Sequence, residues 1–156
     1  MPIRYIDLMS EITSSLPPLP IAEMGPPVLT PLKKPLHQAR VMIITSAGVH
    51  LKEDPPFSSP NDMTFRRLPA AVAPSRLVPS HPTPVRYPGE QDINVVYPYQ
   101  RLAELAEGGF IGSVTEYHLS MLGAIKKLRE LVLEMAPRMA ADAKAAGADV
   151  VLHIPL

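Results

Sequence analysis

The segment Ala39-Arg40-Val41-Met42-Ile43-Ile44-Thr45-Ser46 decides the fold class of this chain. Its four consecutive apolar residues are typical of a strand that is buried on both faces, as in a parallel sheet. The strand is expected to end at Ala47-Gly48. Near the other end of the sequence, Asp149-Val150-Val151-Leu152-His153-Ile154 has the same character and predicts a final buried strand.

The sequence between these strands alternates in character. Asp92–Tyr97 predicts a second strand, and Pro98 suits the first position of a helix that ends at Gly108-Gly109. A weaker strand is predicted from Phe110 to Tyr117. Such alternation of strands and helices indicates an α/β fold in three layers around a mostly parallel sheet.

A long helix is predicted from about Leu119 to Ala146. Its apolar residues recur on one face, at Leu122, Ile125, Leu128, Val132, Met135, Met139 and Ala143. Pro137 is expected to kink this helix or divide it in two, because proline lacks the N–H that an interior helical position needs. Gly147 is expected to cap it.

Proline is unusually frequent, at 20 of 156 residues, and is concentrated before Pro98. A short amphipathic helix is predicted over Tyr5–Leu16, followed by an extended arm whose apolar residues would anchor on another surface. We therefore divide the chain into residues 1–38, the helix and arm, and residues 39–156, the α/β domain. From Val49 to about Gln91 the sequence predicts a long proline-rich loop, with short strands near 63–68 and 76–78.

The composition excludes several classes of function. Fifteen basic and 15 acidic residues give a formal net charge of zero, which provides no general attraction to nucleic acid or anionic membranes. The chain has no cysteine, so it can form no disulfide, thiolate nucleophile or cysteine-ligated metal site. It shows no secretory signal and no apolar run near the ~18 residues of a membrane span, so a cytoplasmic location is the default expectation.

Ligands bind outside the carboxyl ends of the strands in parallel sheets, which draws attention to residues 46–50 and 153–156. His50 follows a turn of small residues at such an end and could transfer a proton near neutrality, although a loop histidine without function would fit equally. His118 lies where a strand is expected to give way to a helix, with Ser120 as a candidate cap. Asp92 and Asn94 open a predicted strand, and simple turn formation would also explain them.

Several motifs together resemble the selenoprotein B family of glycine, sarcosine, betaine and D-proline reductases, in particular its short D-proline-reductase-like members. The matching stretches are Lys34–Leu36, Ala39–Val41, Thr45–Phe57, Ser80-His81, Asp92–Pro98, Arg101–Leu105, Gly109–Ser113 and His118–Gly123. They follow in family order over roughly residues 30 to 156. Two departures stand out: residues 82–87 replace a Tyr-Asp pair of the family, and His118-Leu119-Ser120-Met121-Leu122-Gly123 keeps only the His, Ser and Gly of the family motif.

The resemblance implies reductive cleavage of a carbon–nitrogen bond in an amino acid or betaine-like amine. It implies His50 and His118 as catalytic residues. It also implies a set of substrate-binding residues, namely Ser46, Gly48, His81, Asp92, Asn94 and Ser120. Other reductase subunits or further copies of the chain would be its partners.

In the family a selenocysteine or cysteine just beyond the last strand attacks the substrate, and a dithiol restores it. This chain stops at Leu156 without that residue. The stop could be an in-frame selenocysteine codon, a fragment boundary or the end of a naturally short member. No cofactor is expected in the chain itself.

Two other functions remain open. The chain could be a non-catalytic binding or scaffolding subunit whose proline-rich arm serves assembly. Alternatively, its histidines (His37, His50, His81, His118 and His153) could support metal-dependent chemistry. No two of them have metal-ligand spacing, so we predict no metal site.

Overall fold

The computed structural model of the chain describes residues 30–58, 62–123 and 125–156. Nearly all of these residues belong to one compact unit, Leu32–Leu156. The predicted helix over Tyr5–Leu16 and the arm as far as residue 29 lie outside the described residues. No helix in the described ranges has the length and apolar character needed to cross a membrane.

Seven strands and four α-helical segments follow along the described parts of the chain. The strands are β1 (Arg40–Thr45), β2 (Val49–Leu51), β3 (Phe65–Pro69), β4 (Leu77–Pro79), β5 (Ser113–Val114), β6 (Tyr117–Met121) and β7 (Val150–Ile154). The α-helices are α1 (Tyr87–Gln91), α2 (Tyr99–Glu107), α3 (Leu128–Glu130) and α4 (Ala136–Ala145). Short 3-10 turns lie at Leu36–Gln38, Pro74–Arg76, Pro84–Arg86 and Ile93–Val95.

Strand β1 is the centre of the main sheet. Its first half pairs in parallel with β5 and its second half with β6, while β7 pairs with it in parallel over five residues. Strand β3 extends the sheet beyond β6 in the antiparallel direction. A separate antiparallel pair, β2 and β4, covers part of the sheet. The predicted mostly parallel α/β sheet is confirmed.

Side chains of β1 alternate between two cores, which makes the fold three-layered. Val41 and Ile43 pack into a core with residues of β2, β4 and α2, whereas Met42 packs into a second core with Met135 and Met139 near α4. Since both faces of β1 are covered, its run of apolar residues is explained.

The prediction of a strand over Asp92–Tyr97 is wrong, because Ile93–Val95 forms a 3-10 turn. The Asp92 carboxylate accepts a hydrogen bond from the Asn94 N–H at 2.9 Å, the local pairing by which aspartate favours turns over strands. Ile93 and Val96 are buried by this turn. The apolar run therefore belongs to an irregular segment that packs on the core.

The strand predicted over Phe110–Tyr117 is present only as the short β5, and the predicted start of the long helix at Leu119 is wrong. Residues 113–114 and 117–121 form β5 and β6, and the helix begins only at Leu128. The spacing of Leu119 and Leu122 fits a helix, but pairing of β6 with both β1 and β3 outweighs that local preference.

Pro137 does divide the predicted helix. A π-helical stretch, Leu131–Met135, separates α3 from α4, and the N–H of Ala136 reaches back five residues to the Leu131 carbonyl. Pro137, which has no N–H to donate, follows at once in the first turn of α4. Gly147 caps α4 with a φ of +70°, as predicted.

Strand β7 departs from the prediction in its burial. It pairs with β1 along one edge, yet Val151 and Leu152 are 43% and 41% exposed and His153 is exposed as well. The sequence predicts a fully buried strand at this position. In the described residues β7 instead ends the sheet on the side opposite β3.

Candidate functional site

Ser46 joins the carboxyl ends of three parallel strands. Its N–H donates to the carbonyl of Ile154 at 3.0 Å, and its own carbonyl accepts the N–H of Gly123 at 2.7 Å. Its hydroxyl accepts the N–H of Leu156 at 2.8 Å. The ends of β1, β6 and β7 therefore meet at one residue, at the edge of the sheet where parallel α/β proteins bind ligands.

The segment Ser80-His81 closes the same edge from the β4 side. The Ser80 N–H donates to the Gly48 carbonyl at 3.0 Å and the His81 N–H to the Ala47 carbonyl at 3.1 Å. Gly48 has a φ of +62°, and a Cβ there would lie 2.8 Å from a methyl group of Leu122. The turn after β1 thus needs glycine both for its backbone conformation and for its close contacts.

His81 is the polar side chain that faces this edge. The ring is buried, with 2% exposure, and Nδ1 lies 3.0 Å from the Thr83 hydroxyl and 3.4 Å from the Thr83 N–H. Since the Thr83 N–H can only donate, hydrogen bonding assigns Nδ1 as the acceptor and leaves the proton on Nε2. Burial, and secondly the positive charge of Arg86, lower the pKa of His81, which favours this neutral ring.

The Nε2 atom of His81 is buried and has no hydrogen-bond partner. It lies against Gly123. A Cβ added to Gly123 would be 2.9 Å from His81 Nε2 and 3.1 Å from the Ser46 carbonyl oxygen. A buried donor without a partner costs about 1–3 kcal/mol, so such groups call for an explanation. Ser46, Gly48, His81 and Gly123 together form what we call the strand-end site.

His50 lies beside this site in a second hydrogen-bonded arrangement. Its Nδ1 is 2.7 Å from the Leu51 carbonyl, which can only accept, and its Nε2 is 2.7 Å from the Ser80 hydroxyl. The Ser80 hydroxyl therefore donates to Nε2. His50 is buried beneath Phe57, with the ring centroids 6.2 Å apart. Ser80 is not among the site residues predicted from the sequence. Its position directly after a strand and beside His81 could have indicated it.

His118 occupies a different environment, inside the sheet. Its Nδ1 accepts the N–H of Ile43 at 3.1 Å, at the point where β1 changes partner from β5 to β6. The ring replaces a missing backbone acceptor and meets Tyr97 edge-on at 5.8 Å. Burial lowers the pKa of His118 to about 4, so the ring is neutral at physiological pH. Each of these contacts supports the sheet.

Ser120 lies two residues further along β6, on the same face as His118. Its hydroxyl is fully buried and has no hydrogen-bond partner, and the same holds for the hydroxyl of Tyr97. Burial raises the pKa of the Tyr97 phenol, which keeps it protonated. Ser120 is not a helix cap, because it lies within a strand.

Asp92 and Asn94 are not brought to the strand-end site. The Asn94 side-chain amide donates to Asp92 at 2.9 Å and to Gln100 at 2.8 Å. The hydrogen bonds from Asn94 lower the pKa of the Asp92 carboxyl. Asp92 lines a separate cavity of about 380 Å³, together with Lys52 and Glu90.

A comparison with curated proteins matches this chain to D-proline reductase subunit gamma of Acetoanaerobium sticklandii, at 32% identity over 127 residues. The match covers 81% of this chain and 52% of the relative. The chain belongs to a D-proline-reductase-like family. No family model matches it, and no solved structure shows significant similarity to it.

The D-proline-reductase-like chain thus spans about half the length of this relative. The relative is named as a subunit of D-proline reductase. The strand-end site offers a neutral imidazole N–H, a hydroxyl and backbone carbonyls, which can orient a polar ligand and donate a hydrogen bond to it. The chain itself has no thiol, and the described residues hold no group of three side chains suited to a metal ion.

Proposed function

We propose that this chain is the binding part of a reductase subunit that cleaves a carbon–nitrogen bond of an amino acid or betaine-like amine. In this proposal Ser46, Gly48 and His81 receive the substrate at the strand-end site. The nucleophilic selenocysteine or cysteine comes from polypeptide outside the 156 residues. The name of the relative, D-proline reductase subunit gamma, supports D-proline as the first substrate to test.

One observation carries the proposal: the unpaired Nε2 of His81 at the meeting point of three strand ends. A carboxylate oxygen or the leaving nitrogen of an amine would supply the missing acceptor. A Cβ added at Gly123 would lie 2.9 Å from this nitrogen, so a side chain at position 123 would occupy the place where a ligand atom would meet it. A neutral imidazole N–H suits hydrogen bonding to an anion without forming a fixed ion pair.

The proposed reaction balances with an external dithiol. The nucleophile attacks the carbon that bears the nitrogen, the carbon–nitrogen bond breaks and the nitrogen takes up a proton. A thiolate of the dithiol then attacks the chalcogen, the carbon–chalcogen bond breaks and the carbon takes up a proton. The second thiol attacks the sulfur of the resulting sulfur–chalcogen bond, which frees the nucleophile and leaves the dithiol as a disulfide. The dithiol loses two electrons and two protons overall, and the substrate gains both.

His81 would donate a hydrogen bond to the departing nitrogen in this scheme, while His50 and Ser80 would hold the His81 segment in place. The hydrogen bond between Ser80 and His50 fixes the residue immediately before His81. We assign His118 no contact with the substrate, because it lies within the sheet, where its Nδ1 accepts the Ile43 N–H and supports the pairing of β1. We therefore assign the hydrogen bond to the departing nitrogen to His81 and a supporting role to His118.

A non-catalytic binding subunit is the second candidate. It is favoured by the complete absence of cysteine from the chain, because the family chemistry needs a chalcogen nucleophile. Both candidates predict ligand binding at His81, and they differ in whether the assembled enzyme needs this chain for turnover.

Calorimetric titration of the full chain with D-proline, sarcosine and glycine betaine tests the proposal. We expect at least one amine to bind, and His81→Asn to weaken binding about tenfold, because asparagine keeps a group near Nδ1 but lacks the Nε2 donor. His81→Gln is the matched control, since its amide can place an N–H near Nε2 and should restore most of the affinity. Binding of none of the three amines, or equal binding by His81→Asn, would rule out the strand-end site.

Turnover separates the two candidates. The chain alone, with a dithiol and D-proline, should release no ring-opened product, because it has no nucleophile. In a reductase assembled from this chain and its other subunits, His81→Asn should lower kcat while the complex stays intact. A catalytically competent complex that does not need the chain would favour the binding-subunit candidate.

A further inference from the structure

The outer edge of β7 is open in the described part of the chain. One edge pairs with β1 in register from Val150 to Ile154. The Ile154 carbonyl points towards β1, where it accepts the Ser46 N–H at 3.0 Å. Because backbone groups alternate in direction along a strand, the N–H and C=O groups of Val151 and His153 point away from β1. Four hydrogen-bonding groups are thus available on this edge.

The composition of β7 lacks every usual protection of an edge strand. Its sequence, Val-Val-Leu-His-Ile, has no lysine, no acidic residue and no proline, and Val151 and Leu152 are more than 40% exposed. The opposite edge of the sheet, β3, carries Arg66, Arg67 and Pro69. Charges and proline block strand addition, whereas an exposed, flat and apolar edge promotes it.

We propose that the open edge of β7 receives a strand from the polypeptide that corresponds to the unmatched half of the relative. The match leaves about half of that relative unaccounted for, which is ample chain for further strands and helices. Such a strand would complete the β7 backbone pairing and cover the exposed Val151 and Leu152 side chains.

The position of the edge gives this contact a consequence for the site. Strand β7 ends at the strand-end site, where the N–H of Leu156 donates to the Ser46 hydroxyl. A strand added beside β7 would have one of its ends at the same edge of the sheet as Ser46, with β7 between them. The same contact would then bring residues of the added polypeptide close to the strand-end site. The strand addition itself does not depend on reductase activity.

A second copy of the chain is the competing occupant. Antiparallel pairing of two β7 strands about Leu152 would meet no charge clash. However, two five-residue strands bury far less than the ~800 Å² per partner of a stable interface. A folded half-subunit can supply the remaining area from surfaces beyond the strand, so we favour it.

Amide hydrogen exchange tests the proposal on the full 156-residue chain. The chain is measured alone and after co-expression with the unmatched half of the Acetoanaerobium sticklandii subunit gamma, with an affinity tag on the 156-residue chain only. We expect co-purification and at least 100-fold slower exchange at the amides of Val151 and His153. The Leu152 amide points towards β1 and should be protected in both samples, which makes it the internal control.

Substitutions at Val151 show whether the binding depends on the outer edge of β7. Val151→Pro removes only an outward N–H, and Val151→Lys adds the charge that natural edges use, so both should abolish co-purification. Val151→Thr keeps the N–H and the β-branched shape and should bind like wild type. Protection at Ile43 reports whether each variant is folded, and Val151→Lys keeps the test valid if the proline variant unfolds.

Three results would overturn the proposal. The first is failure of the half-subunit to co-purify. The second is co-purification with unchanged exchange at Val151 and His153. The third is a dimer of the chain alone, seen by light scattering, in which both amides are already protected, because a second copy would then occupy the edge. No amine ligand is used, so failure of strand addition is distinct from failure of the proposed function.

Discussion

Two buried histidines of this chain differ in where they lie and in what their ring nitrogens contact. His118 lies within the sheet, where its Nδ1 accepts the Ile43 N–H and completes the pairing of β1. His81 lies at the carboxyl end of the strands, where Nδ1 is held by Thr83 and Nε2 has no partner. Burial lowers the pKa of both rings. Both rings also use Nδ1 as an acceptor, so position separates them: the buried Nε2 of His81 has no partner at the strand ends, whereas the Nδ1 of His118 completes the sheet.

The largest effect is expected from His118→Ala. The substitution removes a fully buried ring and leaves the Ile43 N–H without an acceptor, so we expect the free energy of unfolding to fall by about 4 kcal/mol. Urea denaturation measures this. His118→Asn should recover part of the loss, because its side-chain oxygen can replace Nδ1 as the acceptor. If alanine and asparagine are equally destabilising, the hydrogen bond is not what makes His118 structural.

The pH dependence of stability follows from the same ring. An unfolded histidine binds a proton near pH 6.5, whereas folded His118 does so only near pH 4. The unfolded state therefore holds more protons between these values, and stability falls as the pH falls from 6.5 to 4. The loss would be on the order of 3 kcal/mol. Above pH 6.5 this contribution is constant.

Denaturation of wild type and His118→Asn from pH 7 to 4.5 checks this dependence. Hydrogen bonding lowers the pKa of the Asp92 and Asp142 carboxyl groups, so these two groups stay ionised in the folded state over this range. The variant should show a shallower slope, and the remainder should come largely from His81. Equal slopes in both proteins would contradict the assignment of the low pKa to His118.

Gly123→Ala tests the strand-end site with a smaller effect on stability. The new methyl group would meet His81 Nε2 at 2.9 Å and the Ser46 carbonyl at 3.1 Å, so we expect a cost of about 1–3 kcal/mol and loss of amine binding. Gly109→Ala is the control: it has a φ of +73° but no atom within 4 Å of the added carbon. It should cost about 1 kcal/mol and leave binding unchanged. Normal amine binding by Gly123→Ala would contradict the site.

The centre of the sheet is easier to predict from the sequence than its surroundings. Residues 39–46 are locally apolar and covered on both faces, so burial and sequence pattern agree. The turn at Asp92-Asn94 and the strand β6 escape prediction for opposite reasons. The first is fixed by one local side-chain hydrogen bond, and the second by pairing with strands about 50 and 75 residues away. Neither kind of contact is visible in hydrophobic periodicity.

The candidate site is predictable in part for the same reason. Ser46 and Gly48 lie at the carboxyl end of β1, as the rule for parallel sheets predicts, and His81 meets them because β4 pairs with β2, the strand that follows Gly48. Gly123 enters the sequence prediction only as part of a motif. Its importance comes from its close contact with His81, which is distant in sequence. The apolar spacing around Leu119 predicts a helix, so the sequence does not show that His118 lies in strand β6 and contacts β1.

The smallest effect is expected from Arg86→Gln, which alters the electrostatics of one histidine only. The positive charge of Arg86 contributes, after burial, to the low pKa of His81, whereas burial alone accounts for that of His118. Removing the charge should raise the pKa of His81 and leave that of His118 unchanged, as NMR titration of the two rings would show. Arg86→Lys keeps the charge and should behave like wild type. If both rings shift together in Arg86→Gln, the substitution has loosened the packing, and Arg86 does not act on His81 through its charge.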